Sequence, residues 1–383
     1  MNLIAALFAS LCLCALVYQF SAIIALICFR RRPLPSCQSG VWPGISLLKP
    51  VRGLEQDSYD CLASFIRQDY PARQILFGVA DPTDPILPLL RDLQATFGEV
   101  DIRVVICPQE LGMNPKVSTL RQLLPLAVYD YILISDSDVR VRPDALRVLA
   151  GALQDPKAGL ATCLYRPGPV DTNGAALEAM TISTDFIPSV AMAYYVEDIR
   201  FALGAVMALS QETLERIGGF EGIADHLADD YQLGLRVSEA GLQVQLLPYV
   251  VETNNRRETV MGYLAHQLRW ARTYRVCRPK SYLAYGITLA FPWGVLAWSA
   301  SAFAPWAGCL ALGCLLVRFW AGLVAHYYCL ASPLPWRYWL LFPIKEICAF
   351  ALWVLSFLGN EISWRGQRYR VAPDGRLKKV KES

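Results

Sequence analysis

The chain has 383 residues, and 36 basic against 33 acidic side chains leave a formal net charge of +3. A near-balanced total gives no argument for nucleic acid, whose binding needs a concentrated basic face, so no nucleic-acid partner is expected. Hydrophobic residues reach 54% and charged residues only 18%, too apolar for a wholly water-soluble protein, while the charges between Arg30 and Lys280 are too many for membrane spans alone.

From Met1 to Phe29 there is no charged residue, and Arg30, Arg31 and Arg32 follow at once. This predicts a transmembrane anchor at 1–29 rather than a cleaved signal peptide, whose positive charge precedes a shorter apolar run. Positive residues stay on the cytoplasmic side, which puts the N-terminus outside and the next domain in the cytoplasm.

From 41 to 255, short β-rich runs alternate with helical patterns: Ile45 to Leu48, Ile75 to Ala80, Ile102 to Cys107, Tyr131 to Ser135 and Val244 to Val251. The alternation predicts an α/β domain with a mostly parallel sheet covered on both faces. Such sheets hold ligands beyond the carboxyl ends of their strands, so polar residues directly after a strand are the first candidates for function.

Three acidic clusters fall at such places or at a helix start. Asp81-Pro82-Thr83-Asp84 follows the second run; it reads either as a surface turn or as a place where Asp81 or Asp84 accepts hydrogen bonds from a nucleotide. Asp136-Ser137-Asp138 follows the fourth. Two carboxylates one residue apart beyond a buried strand can hold Mg²⁺ or Mn²⁺ with positions left for phosphate oxygens, although Asp and Ser also favour plain turns. Asp229-Asp230 opens a helical run ending near Gly241. Acidic residues stabilise helix N-termini, and one of this pair can also serve as a general base.

The segment 256–281 reads as an amphipathic interface helix. Its arginines Arg269, Arg272, Arg275 and Arg278 recur every three residues and are expected to meet lipid phosphates or solvent, apart from Arg269-Trp270, which can wall a pocket and reach a diphosphate. Membrane helices are expected over 282–358: Tyr282 to Phe303 and Ala307 to Leu330 form a hairpin, and Tyr338 to Leu358 follows. Lys345 and Glu346 make this last stretch expensive to insert, so it is expected in the cytoplasmic interface, keeping the basic tail at 359–383 inside beside anionic lipid. Twelve cysteines form no CxxC pair, and with three histidines they offer no zinc cluster.

Taken in order, Ile45-Ser46-Leu47-Leu48-Lys49-Pro50, Gln68-Asp69-Tyr70-Pro71, Gly112-Met113-Asn114-Pro115-Lys116-Val117, Asp136-Ser137-Asp138, Asp229-Asp230-Tyr231, Arg269-Trp270 and the stretch 362–370 resemble the ceramide glucosyltransferase family of membrane glycosyltransferases. Ala228-Asp229-Asp230-Tyr231 and the segment His266 to Arg272 are most similar to its bacterial, hopanoid-associated branch. The resemblance implies a GT-A type nucleotide-sugar-binding domain, a UDP-sugar donor, a divalent cation, a membrane-lipid acceptor, inversion at the sugar carbon and a bacterial inner membrane. It places Asp84, with Asp81 nearby, in the first aspartate motif, Asp136 and Asp138 with the donor and metal, and Asp230 as base beside Asp229. Lys49 and Lys116 line the nucleotide pocket if they are not plain surface lysines. His266 stands where relatives begin the Arg-Trp motif with Gln or Arg, which leaves that contact open. A polysaccharide synthase and a non-catalytic nucleotide-sugar-binding membrane protein are the alternatives.

Overall fold

The computed structural model describes residues 2–36, 40, 42–364 and 367–380; Val41 and, from the C-terminal segment, Arg365, Gly366 and Lys381 lie outside the described residues. The chain packs as two compact units. One, the α/β unit, comprises Arg32–Tyr165 and Asp198–Asn254; the other, the helical unit, comprises Met1–Arg31, Arg166–Glu197 and Asn255–Ser383.

Eight strands build the main sheet: β1 (Ile45–Val51), β2 (Arg73–Val79), β3 (Asp101–Ile106), β4 (Tyr131–Ser135), β5 (Val139–Arg140), β6 (Ala158–Pro167), β7 (Val206–Ser210) and β8 (Gln243–Thr253). Their spatial order is β3-β2-β1-β4-β7-β6-β8-β5. The first four are parallel, with Leu47 opposite both Ile75 and Leu133. Beyond β4 the pairing turns antiparallel, Leu133 facing Ala208. The chain runs outward from β1 to β3 and then returns to β4 on the other side of β1. That reversal opens a crevice at the carboxyl ends of β1 and β4, where open α/β sheets take their ligands.

All five predicted strands are present within a few residues, and β5, β6 and β7 are additional. Leu48, Leu76, Ile132, Ile134, Met207 and Leu209 from the sheet pack with Val117, Leu120 and Leu123 of the helix Pro115–Leu123 and with Leu233 and Val237 of the helix Asp229–Glu239. Each such side chain contributes roughly 1.5–3 kcal/mol by burial. The core therefore fixes the two helices whose first turns carry the site.

In the helical unit, three segments are long and apolar enough to cross a membrane: Leu3–Arg30, Pro305–Cys329 and Trp336–Ser356. The stretch from Tyr282 to Phe303, expected as one continuous run, is instead broken: Pro279–Thr288 and Ala290–Ala300 meet at a 61° bend. Leu289 leaves the helical region there, with ψ at 72°, and Pro292 has no N–H to offer the carbonyl of Thr288.

The charges in these apolar segments are paired. Arg318 reaches Glu346 at 2.7 and 2.9 Å, Asp185 at 2.5 Å and the side-chain oxygen of Gln19 at 2.7 Å. Lys345 donates to Asp185 at 2.5 Å, Thr184 at 2.9 Å and Glu346 at 3.0 Å. Two cations thus meet two carboxylates, with all four side chains buried. Lys345 and Glu346 are thus buried and paired, which offsets the charge cost of inserting their segment.

The arginine stripe differs from its expected setting as well. On the helix Val260–Cys277, Arg272 donates to the carbonyl of Glu361, and Arg275 donates to the carbonyl of Gly359 at 3.0 Å and to Asn360. Arg278, just beyond it, pairs with Glu197. Arg272 and Arg275 thus fasten the C-terminal segment rather than pointing only at solvent. That segment folds as a small antiparallel sheet of β9 (Glu361–Trp364), β10 (Gln367–Val371) and β11 (Leu377–Lys379).

Candidate active site

The site is built on three backbone ends in the α/β unit. The first is the start of the helix Pro115–Leu123. Asn114 caps it, its side-chain oxygen accepting from the N–H of Lys116 at 3.0 Å and Val117 at 3.2 Å, with Pro115 at the first helical position. The Asn114 amide donates to the carbonyl of His226 at 2.9 Å, tying this turn to the loop before the third acidic motif. Gly112 makes the approach feasible, because a Cβ there would sit 2.6 Å from the carbonyl oxygen of Ala224.

Lys116 is the hub. Its Nζ lies 2.8 Å from Asp136 Oδ1 and 3.1 Å from Asp229 Oδ2, joining the carboxylates of two motifs nearly a hundred residues apart. Burial alone would favour its neutral form, but Asp136 and Asp229 outweigh that and hold the ammonium charged well above the usual lysine range. The surface-lysine alternative fails for Lys116 and equally for Lys49, which is 1% exposed. From β1, Lys49 donates to the carbonyl of Asp136 at 2.6 Å and to Ser135 Oγ at 3.2 Å, and lies 3.9 Å from the centre of the Phe65 ring. Burial pushes it down to about 8. It secures the turn that displays Asp136 and Asp138.

The second end is that turn. The Asp138 carboxylate meets no side-chain hydrogen-bond donor among the described residues; burial, then the nearby Asp136, push it up to about 7. Its backbone carbonyl accepts from the Asn254 N–H at 2.9 Å, and the Asn254 amide also reaches Cys61 Sγ at 3.4 Å. Asp138, Ser137, Asn254, Cys61 and the loop at Arg52 and Gly53 line a narrow cleft at the end of β1. Among the described residues no three His, Cys, Asp or Glu side chains form a ready-made metal cage. A half-buried carboxylate with no side-chain donor, next to a second carboxylate, nevertheless suits a hard divalent ion that takes its remaining ligands from phosphate and water.

The third end is the first turn of the helix Asp229–Glu239. Asp230 accepts from the N–H of Gly204 at 3.0 Å and from that of Tyr231 at 2.7 Å. Burial, then the adjacent Asp229, raise it to about 6, into the range where a carboxylate serves as a general base near neutrality. Gly204 has to be small: a Cβ there would meet Asp230 Oδ2 at 3.0 Å and Asp136 Oδ2 at 3.6 Å. Gly234, one helical turn on, lets the helix lie against the backbone of Phe201 and Ala202.

The first aspartate motif is placed differently from a direct ligand. Asp84 is buried and spends its carboxylate on the N–H groups of Gly53 at 3.0 Å and Ile86 at 2.9 Å, so it positions the cleft loop. Asp81 is exposed and folds onto Thr83, whose two donors hold it below the usual carboxylate range. Asp136, Asp138, Asp229, Asp230, Lys49 and Lys116 therefore come together in the α/β unit. His266, Arg269 and Trp270 belong to the helical unit. There His266 Nδ1 lies 2.7 Å from Glu178, the His266 ring packs edge-on against Trp270 at 4.8 Å, and Arg269 lies over the Trp364 ring.

Sequence reasoning missed Gly204, Cys61, Asn254 and Glu178. Neither a glycine in an irregular loop nor a lone Glu on a helix carries a local signal; only their three-dimensional neighbours reveal them.

The fold is similar to that of the mannosyltransferase PcManGT of Pyrobaculum calidifontis, solved with GDP-Man and Mn²⁺. The TM-score is 0.57 at 19% identity, covering 89% of this chain and 99% of that one. The fold is thus of the GT-A glycosyltransferase class. More narrowly, the family model for glycosyl transferase family 21 matches residues 7–377, and the chain belongs to that family. Among its relatives, ceramide glucosyltransferase 3 of Caenorhabditis elegans is 23% identical over 348 residues, 88% of this chain and 74% of that protein. An N-acetylglucosaminyltransferase of Rhizobium leguminosarum bv. viciae is 23% identical over 225 residues, 56% of this chain and 51% of that protein. The protein is a membrane-associated glycosyltransferase, as its resemblance to the ceramide glucosyltransferases implies.

Proposed function

We propose that this enzyme is an inverting lipid glycosyltransferase that moves a hexose from a UDP-sugar to the hydroxyl of a membrane lipid. The hexose is N-acetylglucosamine or glucose, and the lipid is a hopanoid polyol. The observation that carries the reading is the bridge of Lys116 to Asp136 and Asp229 beside a raised Asp230. It supports the reading by joining the carboxylates that we assign to the donor and to the base.

Asp138 and Asp136 would hold Mg²⁺ or Mn²⁺, which when bound offsets the charge of the departing diphosphate. Lys116 keeps Asp136 aimed and adds positive charge where the phosphates gather. Asp84 orders the Gly53 loop of the nucleotide cleft. Asp230 takes the proton from the acceptor hydroxyl, so attack and departure fall on opposite faces of the sugar and one displacement inverts the carbon. Gly204 leaves room for that hydroxyl beside Asp230. His266, Arg269 and Trp270, in the helical unit, are assigned to the Arg-Trp motif that the family resemblance implies. Arg30, Arg31 and Arg32 after the first apolar helix support a cytoplasmic catalytic unit, in a bacterial inner membrane.

The similarity to ceramide glucosyltransferase 3, over 88% of this chain and 74% of that protein, favours a second reading, glucose transfer to ceramide. The test is to incubate the full chain in lipid nanodiscs with labelled UDP-N-acetylglucosamine or UDP-glucose, and with a hopanoid polyol or ceramide. The expected product is one lipid of acceptor mass plus one sugar. A polymer, or no labelled lipid with any pair, contradicts the proposal.

A further inference from the structure

Where the chain leaves its last apolar helix at Ser356, it opens a cavity of about 900 Å³ in the helical unit. Arg272, Arg368 and Arg370 line it together with Asn360 and Ser363, and Phe357 and Leu358 form its apolar lip. The cationic side is in excess: Glu361 is the acidic residue of the lining, and it is already held by Arg368 at 2.7 Å and Arg370 at 3.0 Å. Three guanidinium groups against one carboxylate leave two positive charges facing the opening.

Arg272 is half-buried, whereas the side chains of Arg368 and Arg370 are 65% and 64% exposed and are steadied by Glu361. Arg272 is anchored to the carbonyl of Glu361, and its Nε is buried without a partner. Arg368 and Arg370 project from β10, whose pairing with β9 sets Arg368 opposite Ser363 and Arg370 opposite Glu361. Guanidinium forks of this kind match phosphate oxygens bidentately. The lip supplies the second requirement. Leu358 is 73% exposed and Phe357 41% exposed, directly beyond a helix long and apolar enough to cross a bilayer. Exposed apolar side chains at that level fit acyl chain rather than water.

We infer that this cavity binds the headgroup of an anionic phospholipid, with the phosphate on Arg272, Arg368 and Arg370 and the upper acyl chain on Phe357 and Leu358. This is a lipid site separate from the acidic cluster of the α/β unit, and it does not depend on the identity of the sugar or the acceptor. A bound headgroup would hold the C-terminal sheet and the helix Val260–Cys277 together, since both supply its arginines.

The experiment measures binding of short-chain phosphatidylglycerol and short-chain phosphatidylcholine to the full-length protein in neutral detergent, by native mass spectrometry and by shift of the melting temperature. UDP and inorganic pyrophosphate serve as competitors. One phosphatidylglycerol is expected to bind, at least about tenfold more tightly than phosphatidylcholine, with affinity falling as salt rises. Arg368→Gln/Arg370→Gln is expected to lower that affinity about tenfold or more, while UDP binding is unchanged. Arg272→Lys, which keeps the charge but loses the fork, provides a second variant if the double substitution does not fold, and is expected to weaken binding several-fold. Equal affinity for the two lipids, unaltered phosphatidylglycerol binding in a folded variant, or displacement of the lipid by UDP or pyrophosphate would each overturn the inference. The last result would assign the cavity to free phosphates instead. Failure of the sugar-transfer assay would leave this result untouched.

Discussion

Replacing Asp230 by Asn tests the assignment of the base on two axes at once. In the wild type, burial and then Asp229 raise Asp230 to about 6. About nine in ten molecules then carry the carboxylate at pH 7 and about one in ten at pH 5, so kcat/KM is expected to fall about tenfold between those values. Asp230→Asn is expected to lower kcat by about 10²–10⁴-fold and to flatten the acid limb. Asn can still accept the Gly204 hydrogen bond seen at 3.0 Å, so the local backbone and UDP affinity are expected to persist. Stability moves oppositely. A carboxyl raised above its unfolded value stabilises the fold most when protonated, and that contribution is lost as pH rises through about 6. Removing the charge is therefore expected to stabilise the protein at pH 7 by about 1–3 kcal/mol, the upper figure being two pKa units at about 1.4 kcal/mol each. The assay is the initial rate of labelled sugar transfer in nanodiscs from pH 5 to 8, with melting temperature measured alongside. A variant that keeps wild-type turnover, or retains the same acid limb, would refute the reasoning.

Further outcomes follow from the same geometry. Asp138→Asn is expected to abolish the divalent-ion dependence of UDP binding, measured by calorimetry with and without Mn²⁺; unchanged ion dependence would remove Asp138 from the metal role. Lys116→Met leaves Asp136 and Asp229 facing each other without their shared cation and is expected to cost about 3–5 kcal/mol, the usual penalty for breaking a buried pair, read as a fall in melting temperature. Gly204→Ala puts a methyl 3.0 Å from Asp230 Oδ2 and is expected to depress kcat more than donor KM, which steady-state kinetics will show. Arg318→Ala leaves Lys345 as the one cation for Glu346 and Asp185 in that buried cluster and is expected to reduce the yield of folded protein in membranes, as measured by size-exclusion profile.

Much of this was legible in the sequence because it depended on local pattern. Apolar runs announced the membrane segments, and the five strands of strongest β character lie where the alternation placed them. Asp136, Asp138, Asp229 and Asp230 stood out because short acidic motifs followed a strand or opened a helix. What the sequence withheld depended on distant partners. Lys116 could not be told from a surface lysine until Asp136 and Asp229 were seen on either side of it. Asp84 carried the motif position but not the knowledge that Gly53 and Ile86 occupy its oxygens. Arg318 passed unnoticed in an apolar run, and the cost of Lys345 and Glu346 was judged without the two partners that offset it. β6 and β7 lie outside the predicted strands, and their residues are almost all buried, so neither shows the alternation of apolar and polar side chains that marks a half-buried strand. The arginines at 272 and 275 repeat at helical spacing, and nothing local says that they bind the backbone of a segment some 85 residues away.

The most direct test of the central claim is the structure of the product. The purified enzyme, given a UDP-hexose and its lipid acceptor, is expected to yield a lipid carrying one sugar whose anomeric configuration, read by NMR, is opposite to that of the donor. Retained configuration, or sugar released only to water, would contradict a single displacement assisted by Asp230.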